Sequence, residues 1–184
     1  MLAVGFVEFG GPQVLRTIEL PEPSPAAGEV VVRVAASTVN PSDLMMRSGQ
    51  QASLMTSLAP PFIAGMEFSG HIYSVGEGVH ELTVGQPVMG VVNPRRPAGG
   101  AHAQYVCVPA ASVVVVDSSQ DLIAISTIPM NGLTSLASLQ ALALRPGDTL
   151  LVTGGAGVLA GYAIQLAKAV GVRVSMQSTC AGWP

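Results

Sequence analysis

Leu144 to Gln177, LRPGDTLLVTGGAGVLAGYAIQLAKAVGVRVSMQ, reads as a single strand–turn–helix–strand unit with a glycine-rich turn. Pro146-Gly147-Asp148 is a turn signal, and Thr149 to Thr153 is the short apolar, partly β-branched run of a buried parallel strand. Val158, Tyr162, Leu166 and Ala169 then recur at intervals of three and four, with Ile164 and Val170 widening the stripe. That spacing predicts an α-helix, Gly171 its stop, and Val172 to Met176 a second strand.

Gly154, Gly155, Gly157, Val158, Leu159 and Ala160 lie at the strand-to-helix turn and match G-x-G-x-x-A from Gly155 or G-x-x-G-x-x-A from Gly154. Glycines there allow a tight turn and close backbone approach to a pyrophosphate, and the small Ala160 allows close packing of helix on strand. The unpaired N–H groups at the start of the helix would receive the anion. An ordinary strand-to-helix turn remains the competing reading of the same residues.

Upstream of this unit the chain alternates short β-type runs with Gly/Pro turns from Met1 to about Ala124, as an all-β barrel does. The runs are Ala3 to Phe9, Val14 to Leu20, Glu29 to Thr38, Glu67 to Val75, Val88 to Val92, Ala103 to Val108 and Val113 to Val116. Asn40, Pro41 and Asp43 read as a helix opening: cap, first-turn proline, and an acid at the positive end. Thr127 to Arg145 reads as mostly helix, stopped by Pro146-Gly147.

Six segments occur in a recognisable order: Asn40-Pro41-Ser42-Asp43, PFIAGMEFSG from Pro61 to Gly70, Val75 to Val79, Val84 to Val88, GGAHAQYVCVP from Gly99 to Pro109, and Gly132-Leu133-Thr134. Together they resemble the zinc-independent medium-chain dehydrogenases/reductases, the family of quinone oxidoreductases and ζ-crystallin. The resemblance covers nearly all of residues 1–176. It implies an α/β fold with a mainly β N-terminal domain: a GroES-like barrel (1–126), then the start of a Rossmann nucleotide-binding domain (127–176), with an atypical tail (177–184). The tail lacks apolar periodicity, and such relatives run on for well over a hundred residues. The expectation is therefore a C-terminally truncated member, with a homo-oligomer or a completing chain as partner.

The resemblance implies an oxidoreductase that transfers a hydride from NAD(P)H to a quinone or α,β-unsaturated carbonyl, a small-molecule substrate, without zinc. A non-catalytic remnant acting through protein association is the alternative. Asn40, by its match to the family motif, is the implied polar group near nicotinamide or substrate, though it is equally a helix cap. Thr134 is the implied hydroxyl donor to the cofactor, with Asn131 a neighbouring candidate; a helix-start threonine is the plainer role. Where zinc-dependent relatives carry Gly-His-Glu, this chain has Gly65-Met66-Glu67. Methionine does not replace imidazole on zinc. Cys107 and Cys180 form no ligand spacing, nor do His71, His80 and His102, so no metal site is expected. Glu67 reads as a structural brace rather than a general acid. Ser175 to Thr179 contain no acid to hold a ribose diol, which tilts toward NADP (NADPH) over NAD, yet no arginine or lysine follows Arg173 to grip a 2′-phosphate.

The chain is 49% hydrophobic and only 10% charged, with a net charge of −3. That balance, with no basic cluster, argues against nucleic acid as a partner. No segment reaches a membrane span and no basic region precedes an apolar N-terminal run, so no membrane association and a cytoplasmic location are expected.

Overall fold

The computed structural model describes residues 1–177 and divides into two compact units, one from Met1 to Pro129 and one from Met130 onward. The atypical tail expected over 177–184 lies outside the described residues except for Gln177.

In the first unit, β1 (Leu2–Phe6) pairs antiparallel with β2 (Arg16–Glu19) and with β3 (Phe62–Ile63), making a three-stranded sheet. A five-stranded antiparallel sheet is built from β4 (Glu29–Ser37), β5 (Glu67–Val75), β6 (Pro87–Val91), β7 (Tyr105–Pro109) and β8 (Val113–Val115), in the order β7-β4-β5-β6-β8. The segment entering β7 also bonds to β1: Val4 N–H donates to His102 O, and Gln104 N–H to Leu2 O. Those bonds join the sheets into a barrel-like unit.

Alternation along the strands sends Val30, Val32, Phe68, Ile72, Val88 and Val106 into one apolar core, all of them buried. A smaller cluster of Phe6, Val14, Met46, Met55 and Ala64 fills the other end. Each such side chain contributes roughly 1.5–3 kcal/mol through burial. Helix α1 (Pro41–Ser48) follows β4, and Met46 is its inward anchor while Met45 is exposed.

Several sequence expectations shift by a few residues. Val14 lies in a short 3-10 turn, and β2 starts only at Arg16 because Leu15 N–H is taken by Pro12 O. β3 has two residues, too short for alternation to reveal. A helical turn, α2 (Leu122–Ile125), capped by Asp121 Oδ1 on Ile123 N–H, precedes α3 (Pro129–Leu142).

In the second unit, β9 (Thr149–Thr153), α4 (Val158–Ala169) and β10 (Arg173–Gln177) form a β-α-β unit whose strands pair in parallel, Thr149 with Arg173 through Thr153 with Gln177. Gln177 is therefore strand, held by that register. Ala160, Ala167 and Val172 are the buried apolar residues here. Ser135 of α3, 1% exposed, donates its hydroxyl to Leu159 O at 3.0 Å and so ties α3 to the first turn of α4. No helix among the described residues is long and apolar enough to cross a membrane.

On β7, the Cys107 thiol donates to Glu29 Oε2 at 3.3 Å. Burial, and then this bond and the charge of Glu29, push the thiol up to about 11. Below that pH the thiol stays protonated, so at pH 8 its thiolate fraction is on the order of 10⁻³, against roughly a quarter for an ordinary thiol. With Cys180→Ser removing the other cysteine, iodoacetamide should label Cys107 about a hundredfold more slowly than a free thiol. Labelling at the ordinary rate, followed by mass spectrometry at pH 8, would contradict this placement.

Candidate functional site

Register places the end of β4 beside the start of β5, Ser37 opposite Phe68, so the segment Thr38 to Asn40 that leaves β4 runs directly past Glu67. Glu67 is fully buried. A buried carboxyl needs hydrogen-bond donors, and this segment supplies them. Glu67 Oε1 accepts from Thr38 Oγ1 and from Asn40 Nδ2, the latter at 2.9 Å. Asn40 Nδ2 also donates to Thr38 Oγ1 at 3.0 Å. Both N–H bonds of the Asn40 amide are therefore used inside the chain. His102 Nε2 lies 2.9 Å from Thr38 O, and Ser37 Oγ donates to Glu67 O at 2.8 Å, fixing the same segment from two more sides.

Asn40 is also the N-cap of α1, with extended φ, and Pro41 occupies the first turn. Asp43, 5% exposed, accepts from Asn40 N–H on Oδ2 at 2.8 Å and from Gly65 N–H on Oδ1 at 3.0 Å. One carboxylate thus pins both the start of α1 and the loop before β5. Gly65 has φ +99°, and a Cβ there would sit 2.7 Å from His102 N, so only glycine fits. Glu67 bears out its reading as a brace of loops through these bonds.

Ser42 Oγ donates to Met66 Sδ at 3.1 Å, so the place where zinc-dependent relatives carry histidine holds a thioether already bonded within the chain. Met66, Ser42 and Asn40 do not make a zinc donor set. Among the described residues no group of three or more His, Cys, Asp or Glu could hold a metal ion.

Beside Asp43 a cavity of about 680 Å³ opens in the first unit, lined by Leu2, Val4, Phe6, Val39, Leu44 and Arg47 among others. Arg47 Nε is buried there without a hydrogen-bond partner.

The remaining sequence candidates lie in the second unit. Asn131 and Thr134 are one turn apart on α3, and the Thr134 hydroxyl donates to Met130 O at 2.7 Å within its own helix. Gly154 leaves β9 with φ +68° and open space where a Cβ would be. Gly155 N–H is taken by Gln177 O, and a Cβ on Gly155 would press on the Met176 side chain at 3.0 Å. Gly157 is the N-cap of α4, and Gly154 O accepts its N–H at 2.9 Å. Val158, Leu159 and Ala160 are the first three residues of α4, whose N–H groups have no intrahelical acceptor. Val158 and Leu159 are exposed and Ala160 is buried against the helix–strand interface.

Residues 26–118 match the alcohol dehydrogenase GroES-like domain, half of the chain. The chain belongs to the alcohol dehydrogenase GroES-like domain family. The medium-chain dehydrogenase/reductase resemblance carried by the motifs holds at that level. The human synaptic vesicle membrane protein VAT-1 homolog-like is 32% identical over 92% of this chain and 39% of its own length. The quinone oxidoreductase of Coxiella burnetii superposes with a TM-score of 0.86 at 31% identity, over 96% of this chain and 56% of that one. A mycobacterial protein described as complexed with NADPH superposes with a TM-score of 0.78 at 31% identity, over 96% of this chain and 52% of that one. This GroES-like family member spans about half the length, or less, of these relatives.

Sequence reasoning missed Thr38, Ser42 and Ser135, whose roles come from partners 24 to 29 residues away. Asp43→Ala leaves the Asn40 and Gly65 N–H groups without their acceptor. It should lower stability by about 2–4 kcal/mol in urea unfolding, with Asp43→Asn, which keeps one acceptor oxygen, losing about half as much. A loss within about 0.5 kcal/mol of zero for the alanine variant would contradict the pinning role.

Proposed function

We propose that this chain belongs to an NADPH-dependent reductase that delivers a hydride to a quinone or α,β-unsaturated carbonyl without zinc. The observation that carries this reading is the glycine turn between β9 and α4, where Gly154 has open space in place of a Cβ and Val158, Leu159 and Ala160 form the first turn of α4, whose N–H groups lack intrahelical acceptors. A relative named quinone oxidoreductase and a neighbour described with NADPH support it at family level.

Gly154, Gly155 and Gly157 keep the turn free of side chains, and the first turn of α4 donates to the diphosphate. Asn131 and Thr134 are the candidate polar contacts from α3, and Asn40 is the candidate contact to nicotinamide or substrate. The cofactor, when bound, supplies the hydride. Ser175 to Gln177 carry no acid to hold a ribose diol, which favours NADPH; Arg173 Nε is bonded to Thr149 Oγ1 at 3.2 Å. The thioether of Met66 and the amide of Asn40 support chemistry without zinc.

A second reading has an observation of its own. Leu151 and Met176, on β9 and β10, are 62% and 61% exposed, which suits a non-catalytic module acting through protein association.

Gly157→Asp separates fold from function. Gly157 has φ −76°, which any residue adopts, and aspartate is a favourable N-cap that offsets the 3.3 Å approach of its Cβ to Gly154 O, so the thermal midpoint should stay within a few degrees. Its carboxylate would meet the diphosphate, so NADPH affinity should fall roughly a hundredfold, equivalent to about 2.7 kcal/mol. Cofactor fluorescence with thermal melting measures both. No saturable NADPH binding by the unaltered chain at millimolar cofactor would overturn the reductase reading, and concentration-dependent self-association with no binding would favour the second.

A further inference from the structure

We infer that Tyr73 and Tyr105 form an oxidative modification site, a pair of phenols placed to join by a carbon–carbon bond between their rings when a one-electron oxidant of the peroxidase class reaches the first unit. The site is independent of the reductase reading, since neither tyrosine belongs to the network around Glu67 or to the turn before α4.

The strand order β7-β4-β5 puts β4 between the two residues. Strands two places apart stand roughly 10 Å from one another, so only long side chains leaning over the intervening strand can meet. Tyr105 sits opposite Arg33 of β4, on the face that alternation turns away from the core residues Val32 and Val106. Tyr73 reaches it through a slip in register: Val31 pairs with Ser74 and Val32 with Ile72, which leaves Tyr73 as the extra residue of a bulge on β5. A bulge bends its strand and re-aims the side chain it carries. The result is a ring-to-ring contact with centroids 4.7 Å apart and planes tilted by 53°. That distance is near the short end of the range for touching aromatic rings.

Exposure and a proton acceptor complete the site. Tyr73 is 43% exposed and Tyr105 half-buried, so an oxidant in solution reaches the pair from outside. The Glu22 carboxylate is the hydrogen-bond acceptor of the Tyr73 hydroxyl; that bond, and then the charge of Glu22, raise the phenol above its ordinary value against the opposing charge of Arg33. A phenol that loses an electron becomes a strong acid, and a base already bonded to its proton receives that proton as the electron leaves.

The oxidant, a high-valent haem, takes one electron from each phenol. The Tyr73 proton passes to Glu22 and on to solvent, and the Tyr105 proton passes to water. The two phenoxyl radicals then form a bond between one ortho carbon of each ring, and the hydrogens on those carbons move to the oxygens, restoring both phenols. Two electrons have gone to the oxidant and two protons to solvent, so the chain is lighter by two hydrogens.

The 184-residue chain at micromolar concentration, treated with a peroxidase and limiting hydrogen peroxide, should give a single-chain product of that mass with the blue fluorescence of dityrosine. Trypsin cuts after Arg95 and parts Tyr73 from Tyr105, but in the product their two peptides should stay joined. Folded chain should give at least about tenfold more of this product than chain unfolded in urea, because the fold raises the effective concentration of one ring at the other. Tyr73→Phe and Tyr105→Phe, which keep the rings and remove one phenol, should each abolish it. Tyr162→Phe, altering the remaining tyrosine of the chain, should leave it unchanged. Glu22→Gln should lower the yield about threefold or more. Equal yield from folded and unfolded chain, a product that persists in either variant of the pair, or oxidation that only adds oxygen or joins separate chains would overturn the proposal. An unchanged yield in Glu22→Gln would overturn the proton route through Glu22.

Discussion

A carboxyl group removed from water must find hydrogen-bond donors, and the first unit of this chain is arranged around two that have done so. Asp43 and Glu67 are 5% and 0% exposed. Donors supplied by neighbouring chain hold them: the N–H groups of Asn40 and Gly65 for Asp43, and the Thr38 hydroxyl and Asn40 amide for Glu67. Leaving either carboxyl unsatisfied would cost more than any single bond gains, so the loops around them have little freedom. The exit from β4, the start of α1 and the approach to β5 are thereby locked to one another.

The same locked segment sets the chemistry around Glu67. The buried glutamate is the first residue of β5, and its neighbours are a thioether and an amide. Glu67 is spent on Thr38 and Asn40, and Met66 receives the Ser42 hydroxyl. What is left is the glycine-lined backbone of the second unit, suited to binding and orienting a molecule that brings its own chemistry.

Much of this was legible in the sequence because it is local. The Asn40-Pro41-Ser42-Asp43 run encodes its helix start within four residues, and the glycines of the β9 to α4 turn stand between two segments of clear and different period. Gly65 entered the sequence only as part of the Gly65-Met66-Glu67 motif, and what forbids a Cβ there was not legible, since His102 lies 37 residues on. The network around Glu67 was illegible for the same reason: Thr38 is an ordinary strand-end residue until register sets it against the start of β5. The two-residue β3 left no periodic trace, and α2 was hidden because four residues make barely one turn.

The account turns on whether the first turn of α4 receives a diphosphate. The most direct measurement is an amide ¹H–¹⁵N titration of the chain with NADPH, reading the backbone signals of Gly157, Val158, Leu159 and Ala160. Binding at the turn requires these signals to move together, saturably and at submillimolar cofactor, ahead of the rest of the second unit. Signals at the turn that stay in place while others shift, or no saturable shift anywhere, would contradict it.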